Sequence, residues 1–126
     1  MAEIERRDVR DVTVIDIKGA LTIGDGNELI LTTFRRLRES SRSLVILNLA
    51  GVPYIEDSPL GALIGCCAEV ATSGGRIRFV NARPRVAEFI SITKAEGCVF
   101  EYCDSEEAAV SALMEHQEGK PDEPSQ

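Results

Sequence analysis

Seven consecutive residues, Ser43-Leu44-Val45-Ile46-Leu47-Asn48-Leu49, constrain the fold more than any other stretch of the chain. A strand with one wet face alternates apolar and polar residues. A short, nearly continuous apolar run is instead what a strand covered on both faces looks like. This run therefore belongs in the middle of a sheet, with helices packed on it. Directly after it comes Tyr54-Ile55-Glu56-Asp57-Ser58-Pro59-Leu60-Gly61, a junction of two carboxylates, a hydroxyl and a proline. A helix follows with Leu60, Leu63, Ile64, Cys67, Val70 and Ala71 at helical spacing, a stripe expected to face the core. Gly61, Gly65, Ala68, Glu69 and Thr72 fall off that stripe.

The remaining elements arrange themselves around this strand–junction–helix unit. Asp11 to Ile17 is rich in β-branched residues and reads as a strand, with Ile4 to Val9 as its hairpin partner across Arg10-Asp11. The turn Thr22-Ile23-Gly24-Asp25-Gly26-Asn27 leads to a helix over Glu28 to Glu39, whose Leu29, Ile30, Thr33, Phe34 and Leu37 share one face. Ser73-Gly74-Gly75 stops the junction helix, and Arg76 to Val80 forms a strand. Pro84 opens a short helix with Val86, Phe89 and Ile90 inward, and Cys98 to Cys103 makes a last strand. A capping box, with Asp104 as cap and Glu107 three positions later, starts a final helix that ends near His116. The order β-β-α-β-α-β-α-β-α implies an α/β fold: a mixed sheet of about five strands, parallel after the opening hairpin, with four helices. Residues 1–116 are expected to form one domain. Residues 117–126, with two prolines and almost nothing apolar, are expected to be a disordered tail.

Charge and composition exclude several functions. The net charge of −7 argues against nucleic acid, which needs clustered Lys and Arg. Arg35, Arg36 and Arg38 do cluster, on the outer face of a helix whose apolar side explains it, and are taken as a solvated face. No apolar run approaches the roughly 20 residues of a membrane span, and the charged N-terminus lacks a signal-peptide core; a cytoplasmic location is the default expectation. Cys66, Cys67, Cys98 and Cys103 lack metal-site spacing, and neighbouring helical cysteines point about 100° apart. Reduced thiols are expected, with no metal and no cofactor. Gly24-Asp25-Gly26 lacks the lysine of a phosphate loop and the third glycine of a dinucleotide fingerprint, so it is a turn.

Nor does the junction suit catalysis. Ser58 as a nucleophile would need a base, and the single histidine, His116, is far away in the expected layout. A receiver domain would need an acidic pair after the first strand and a lysine after the last. Lys18-Gly19-Ala20 and Glu101-Tyr102-Cys103 stand there instead. An enzyme is not expected. The positive clue is the pair Gly61 and Gly65, which with Ala68 makes a shallow strip beside the junction. Glycine inside a helix costs about 1 kcal/mol against alanine, so two of them need a reason. Close approach within the fold is one, and room for a partner is the other; the sequence leaves both open.

Over residues 8 to 115 the chain resembles the STAS domain, the fold shared by bacterial anti-sigma factor antagonists and the cytoplasmic tails of sulphate transporters. The resemblance rests on Lys18-Gly19-Ala20-Leu21, Leu47-Asn48-Leu49-Ala50-Gly51-Val52 with Tyr54-Ile55, Leu60-Gly61-Ala62-Leu63, and Gly74-Gly75-Arg76-Ile77. Val80-Asn81 with Pro84-Arg85-Val86 and Asp104-Ser105-Glu106-Glu107-Ala108 complete it, in order and with family spacing. It implies a stand-alone antagonist that binds an anti-sigma factor, often also a serine kinase, and so regulates transcription by freeing a sigma factor. In such proteins phosphorylation of a serine at the cap of the second helix switches binding off, by bringing about −1.5 to −2 charges to the contact surface. The implied contact residues are Thr22, Asp25, Asn27, Glu56, Asp57, Ser58, Gly61 and Gly65. A homodimer, a STAS module for a small ligand such as a nucleotide, and a scaffold subunit of a signalling assembly stay open as alternatives. Carboxylates at Glu56 and Asp57 argue against an anionic ligand there.

The chain departs from the family at the acceptor itself. Anchored on Leu60-Gly61, Glu56 takes the usual Asp position, Asp57 takes that of the acceptor serine, and Pro59 replaces a glycine. On one reading Asp57 is a fixed charge and the domain does not switch. On the other, Pro59 is the first helical residue, Ser58 is the cap, and Ser58 remains the acceptor. The ungapped register of the flanking apolar residues favours the first.

Overall fold

Alternation along β3 (Leu44–Gly51) divides the molecule into two cores. Val45, Leu47 and Leu49 join Ile15 and Ile17 on one face of the sheet, while Leu44 and Ile46 join Val12 and Val14 on the other. The computed structural model of the 126-residue chain describes residues 2–88 and 101–119. The five strands lie in the order β1 (Glu3–Val9), β2 (Val12–Lys18), β3, β4 (Arg76–Val80), β5 (Glu101–Cys103). The β1–β2 pair is antiparallel and every later pair is parallel. This is the mixed α/β sheet expected from the sequence, and β3 is its central strand, buried on both sides as its composition requires. β1 is an edge strand guarded by charges at Glu3, Glu5, Arg6, Arg7 and Asp8.

α1 (Asp25–Glu39) and α2 (Asp57–Thr72) pack on the first core, which Val86 of α3 also joins. α3 opens at Pro84 and is described over residues 84–88. α4 (Glu106–Gly119) covers the opposite face with Ala109, Val110 and Leu113. Phe89, Ile90 and Cys98 lie outside the described residues, as do residues 120–126 of the expected tail. No described helix is long and apolar enough to cross a membrane.

Four local expectations need correction. α1 starts at Asp25, three residues before Glu28, because Gly24 adopts φ 91° and the Asn27 Oδ1 accepts its N–H at 3.1 Å. The cap of α4 is Ser105, whose Oγ accepts the Ala108 N–H at 3.1 Å, and Asp104 stands one residue outside. The same helix continues to Gly119, past His116. Finally, α2 buries Pro59, Leu63, Cys66 and Cys67, leaving Leu60 and Ile64 half-buried and Ala71 exposed. Its C-terminus does follow expectation. Gly74 at φ 92° lets the Gly75 N–H reach the Val70 carbonyl at 2.8 Å and its own N–H reach Ala71 at 3.2 Å.

A polar cluster pins α4 to the sheet. The Arg7 guanidinium donates to both Asp16 oxygens at 2.6 and 3.0 Å and to both Glu106 oxygens at 2.9 and 2.7 Å. Asn48 Nδ2 donates to Asp16 at 2.7 Å, and Asn81 Nδ2 to Asn48 at 3.2 Å. Hairpin and central strand thus meet on the buried Asp16 carboxylate, and Arg7 carries the link on to Glu106 of the helix.

Candidate partner-binding surface at the start of α2

The carboxyl ends of β2 and β3 are extended so that two loops run side by side. The Gly19 N–H donates to the Gly51 carbonyl at 2.8 Å, and a parallel bridge joins Leu21 to Ile55 beyond the strands proper. The Leu21 N–H donates to the Tyr54 carbonyl at 3.1 Å, and the Glu56 N–H returns to Leu21 at 2.9 Å. The Thr22–Asn27 turn is therefore fastened to the entry of α2. Gly26 completes the fit: a Cβ there would stand 3.1 Å from the Leu21 carbonyl carbon and 3.3 Å from the Pro59 Cβ.

Side chains close the same seam. Glu56 Oε1 accepts the Ile23 N–H at 2.7 Å, and Asn27 Nδ2 donates to Ser58 Oγ at 2.9 Å. Glu56 is the N-cap, with extended φ −78° and ψ 162°, and its carbonyl accepts the first helical bond, from Leu60 at 3.0 Å. Asp57, Ser58 and Pro59 are thus the first three helical residues. Proline costs nothing at the third, because the first four N–H groups of a helix lack intrahelical partners. Pro59 is not the first helical residue, and Ser58 is not the cap.

The expected contact residues fall on one surface. Thr22, Asn27, Glu56 and Ser58 are joined through the seam, the Thr22 carbonyl by accepting the Gly26 N–H at 2.7 Å. Asp57 and Asp25 are exposed at the first positions of α2 and α1. Gly61 and Gly65 are exposed one and two turns along α2, and a Cβ at either would meet no packed neighbour within 4 Å among the described residues. Among the described residues, close packing does not account for these two glycines.

Two exposed apolar residues were not singled out from the sequence. Ile23 is 67% exposed at the tip of the turn, and Leu31 is 51% exposed on α1. A signal for Leu31 was available, since it stands outside the apolar face of its own helix. Among the described residues no His, Cys, Asp and Glu cluster could hold a metal ion. Cys66 and Cys67 are buried thiols, and burial pushes the Cys66 thiol up, helped by Glu69.

Comparison with known proteins agrees with this architecture. The family model described as "STAS domain" matches residues 3–109. A search of curated proteins finds no match. Among solved structures, a Thermotoga maritima protein assigned as an anti-sigma factor antagonist superposes with TM-score 0.77 at 21% identity, over 88% of this chain and 94% of that one. The anti-sigma factor antagonist SpoIIAA in its unphosphorylated form gives 0.67 at 20%, over 89% and 98%. A serine-to-glutamate variant of RsbS from Moorella thermoacetica gives 0.68 at 13%, over 91% and 97%. These identities are low and the likeness is one of fold, but the family model spans most of the chain: the protein belongs to the STAS-domain family.

Proposed function

We propose that this STAS domain is a protein-binding regulator of the anti-sigma factor antagonist kind, whose contact surface is the start of α2 with the Thr22–Asn27 turn beside it. The observation that carries the reading is the open strip at Gly61 and Gly65, where no packed neighbour among the described residues comes within 4 Å of an added Cβ. Helix stability alone would favour alanine at both positions. Asp57 stands one turn before Gly61 on α2, and the exposed Ile23 lies in the turn that Glu56 fastens to the same helix. Structures named as anti-sigma factor antagonists share the fold, which supports an anti-sigma factor as partner, with a serine kinase as a second.

In this proposal Asp57 is a fixed charge at the position where relatives carry the acceptor serine. It supplies one negative charge where a phosphoserine supplies about 1.5 to 2, so it imitates the phosphorylated state in part. A pull-down against anti-sigma factors encoded beside this chain tests the surface. Wild type is expected to bind weakly, Asp57→Ser more tightly, and Gly61→Trp not at all. A normally folded Gly61→Trp protein that binds as wild type does would overturn the surface. Incubation with a cognate kinase and ATP, read by mass spectrometry, tests the fixed charge. Phosphate is expected on Asp57→Ser alone, and phosphate on Ser58 of wild type would refute it.

A further inference from the structure

A groove of about 770 Å³ runs between α1 and α2 at the end of the molecule opposite the junction. Leu31, Phe34, Cys66 and Val70 give it an apolar lining, and Arg35, Arg38 and Arg42 stand beside them, with Glu69 the one carboxylate among the described lining residues. Among the described lining residues three cations face one anion, a local reversal in a chain of net charge −7, with Arg42 also paired to Asp8 behind the groove. The negative ends of α1 and α2 lie here too, and arginines near the last turn of α1 offset them. Dipoles alone do not call for the half-exposed Leu31 in the groove.

We infer that this groove is a second docking surface, separate from the α2 N-terminus, for an acidic amphipathic helix of a partner protein. The apolar lining fits one apolar stripe, and the arginines fit carboxylates flanking it. The lining residues of α1 extend from Leu31 to Leu37 and Arg38, about two turns of helix, so two to three turns of partner would fill the groove. Arg38 is available at low cost. Its bond to Glu69 is 3.4 Å long with both side chains mostly exposed, at 64% and 70%. Such a pair is weakly held, and a partner carboxylate can replace Glu69 on Arg38. Arg42 is anchored, donating to Thr13 Oγ1 at 2.7 Å with Asp8 at 3.5 Å, and so forms a fixed wall.

The test uses two fluorescein-labelled helical peptides of about 14 residues, each with leucines on one face. One carries flanking glutamates and the other lysines at the same positions. Fluorescence anisotropy with the whole chain should show saturable binding of the glutamate peptide, weakened by salt, and none of the lysine peptide. The double variant Arg35→Glu/Arg38→Glu, at two exposed positions, should lower the affinity at least about tenfold and begin to bind the lysine peptide. Gly61→Trp, at the junction, should leave glutamate-peptide affinity unchanged, which separates failure here from failure of the proposed antagonist surface. Equal binding of both peptides, no binding, or indifference to the double charge reversal would each overturn the inference. So would self-association by sedimentation that the double reversal abolishes, since the occupant would then be a second copy of this chain.

Discussion

Replacing Arg7 with methionine keeps most of the apolar stem and removes the guanidinium that Asp16 and Glu106 share. Asp16 is the costly end. Its side chain is 12% exposed, and two of its three hydrogen bonds come from Arg7. Hydrogen bonds to charged groups contribute about 1.5–3 kcal/mol, but Arg7 is itself 42% exposed, so the lower end of that range applies. The Glu106 end, 29% exposed, adds below about 1 kcal/mol. Hydrogen bonds to Glu106, then to Asp16, both raise the hold of Arg7 on its proton. Stability, however, follows what is left behind, and a stranded Asp16 loses more than a stranded Glu106, which can turn to water. Arg7→Met should therefore cost about 2 kcal/mol.

Urea unfolding followed by circular dichroism at pH 7 measures this directly. Double-mutant cycles with Asp16→Asn and Glu106→Gln should give the larger coupling to Asp16. A loss under about 0.5 kcal/mol, or a larger coupling to Glu106, would refute the reasoning. The same carboxylate predicts an acid limb. Arg7's hydrogen bonds hold Asp16 below its ordinary value of 3.8, against the upward push of burial. The unfolded chain therefore takes up the proton first as pH falls. The contribution of Asp16 is complete above about pH 4 and is lost as pH drops through its folded value. Arg7→Met should flatten that limb.

Three substitutions at glycine separate close packing from open surface, and a fourth tests the seam. Gly61→Ala and Gly65→Ala should each raise stability by about 0.5–1 kcal/mol in thermal melts, since no packed neighbour among the described residues opposes the new methyl groups. A loss of stability at either would mean that the strip is packed. Gly75→Ala should cost about 1–3 kcal/mol, because its Cβ would stand 2.6 Å from Val70 Cγ1 and 2.8 Å from the Ser43 carbonyl oxygen. Asn27→Ala should cost about 1 kcal/mol, by freeing both the Gly24 N–H and the Ser58 hydroxyl, and hydrogen exchange should show the turn opening more often.

The elements that sequence periodicity located well are those with one clear face. β3 declared itself by being apolar on both sides, and α1 by Ile30, Phe34 and Leu37 on one side only. The face of α2 was harder to locate, because Leu60, Ala62, Leu63, Ile64, Cys66, Cys67, Val70 and Ala71 leave no polar side to set against an apolar one. What sets its rotation is the entry, fixed by Glu56 to Ile23 and by Gly26 against Pro59. Contacts of that kind join residues 33 apart in the chain, and the Arg7–Glu106 pair spans 99. No local pattern carries them. The junction residues could be listed from the sequence, but not that Glu56 and Asn27 are fastenings while Asp57 and Gly61 remain open.

That division bears on the proposed fixed charge. With Glu56 as cap, the Ser58 hydroxyl sits at the second helical position and accepts a hydrogen bond from Asn27. A kinase acting on Ser58 would have to displace Asn27 and leave a phosphate beside the Asp57 carboxylate, with Glu56 two residues away. Like charges this close repel, and the favourable end of one helix dipole, worth about 0.3–1 kcal/mol, is shared among them. Asp57 has no such obstacle. It is exposed at the first helical position, where one negative charge is favoured, and no bond in the seam depends on it. An aspartate can therefore replace an acceptor serine here without rebuilding the junction, and serine can be restored at Asp57 without unfastening it. This is why Asp57→Ser, rather than any change at Ser58, is the substitution that should turn a fixed surface into a switchable one.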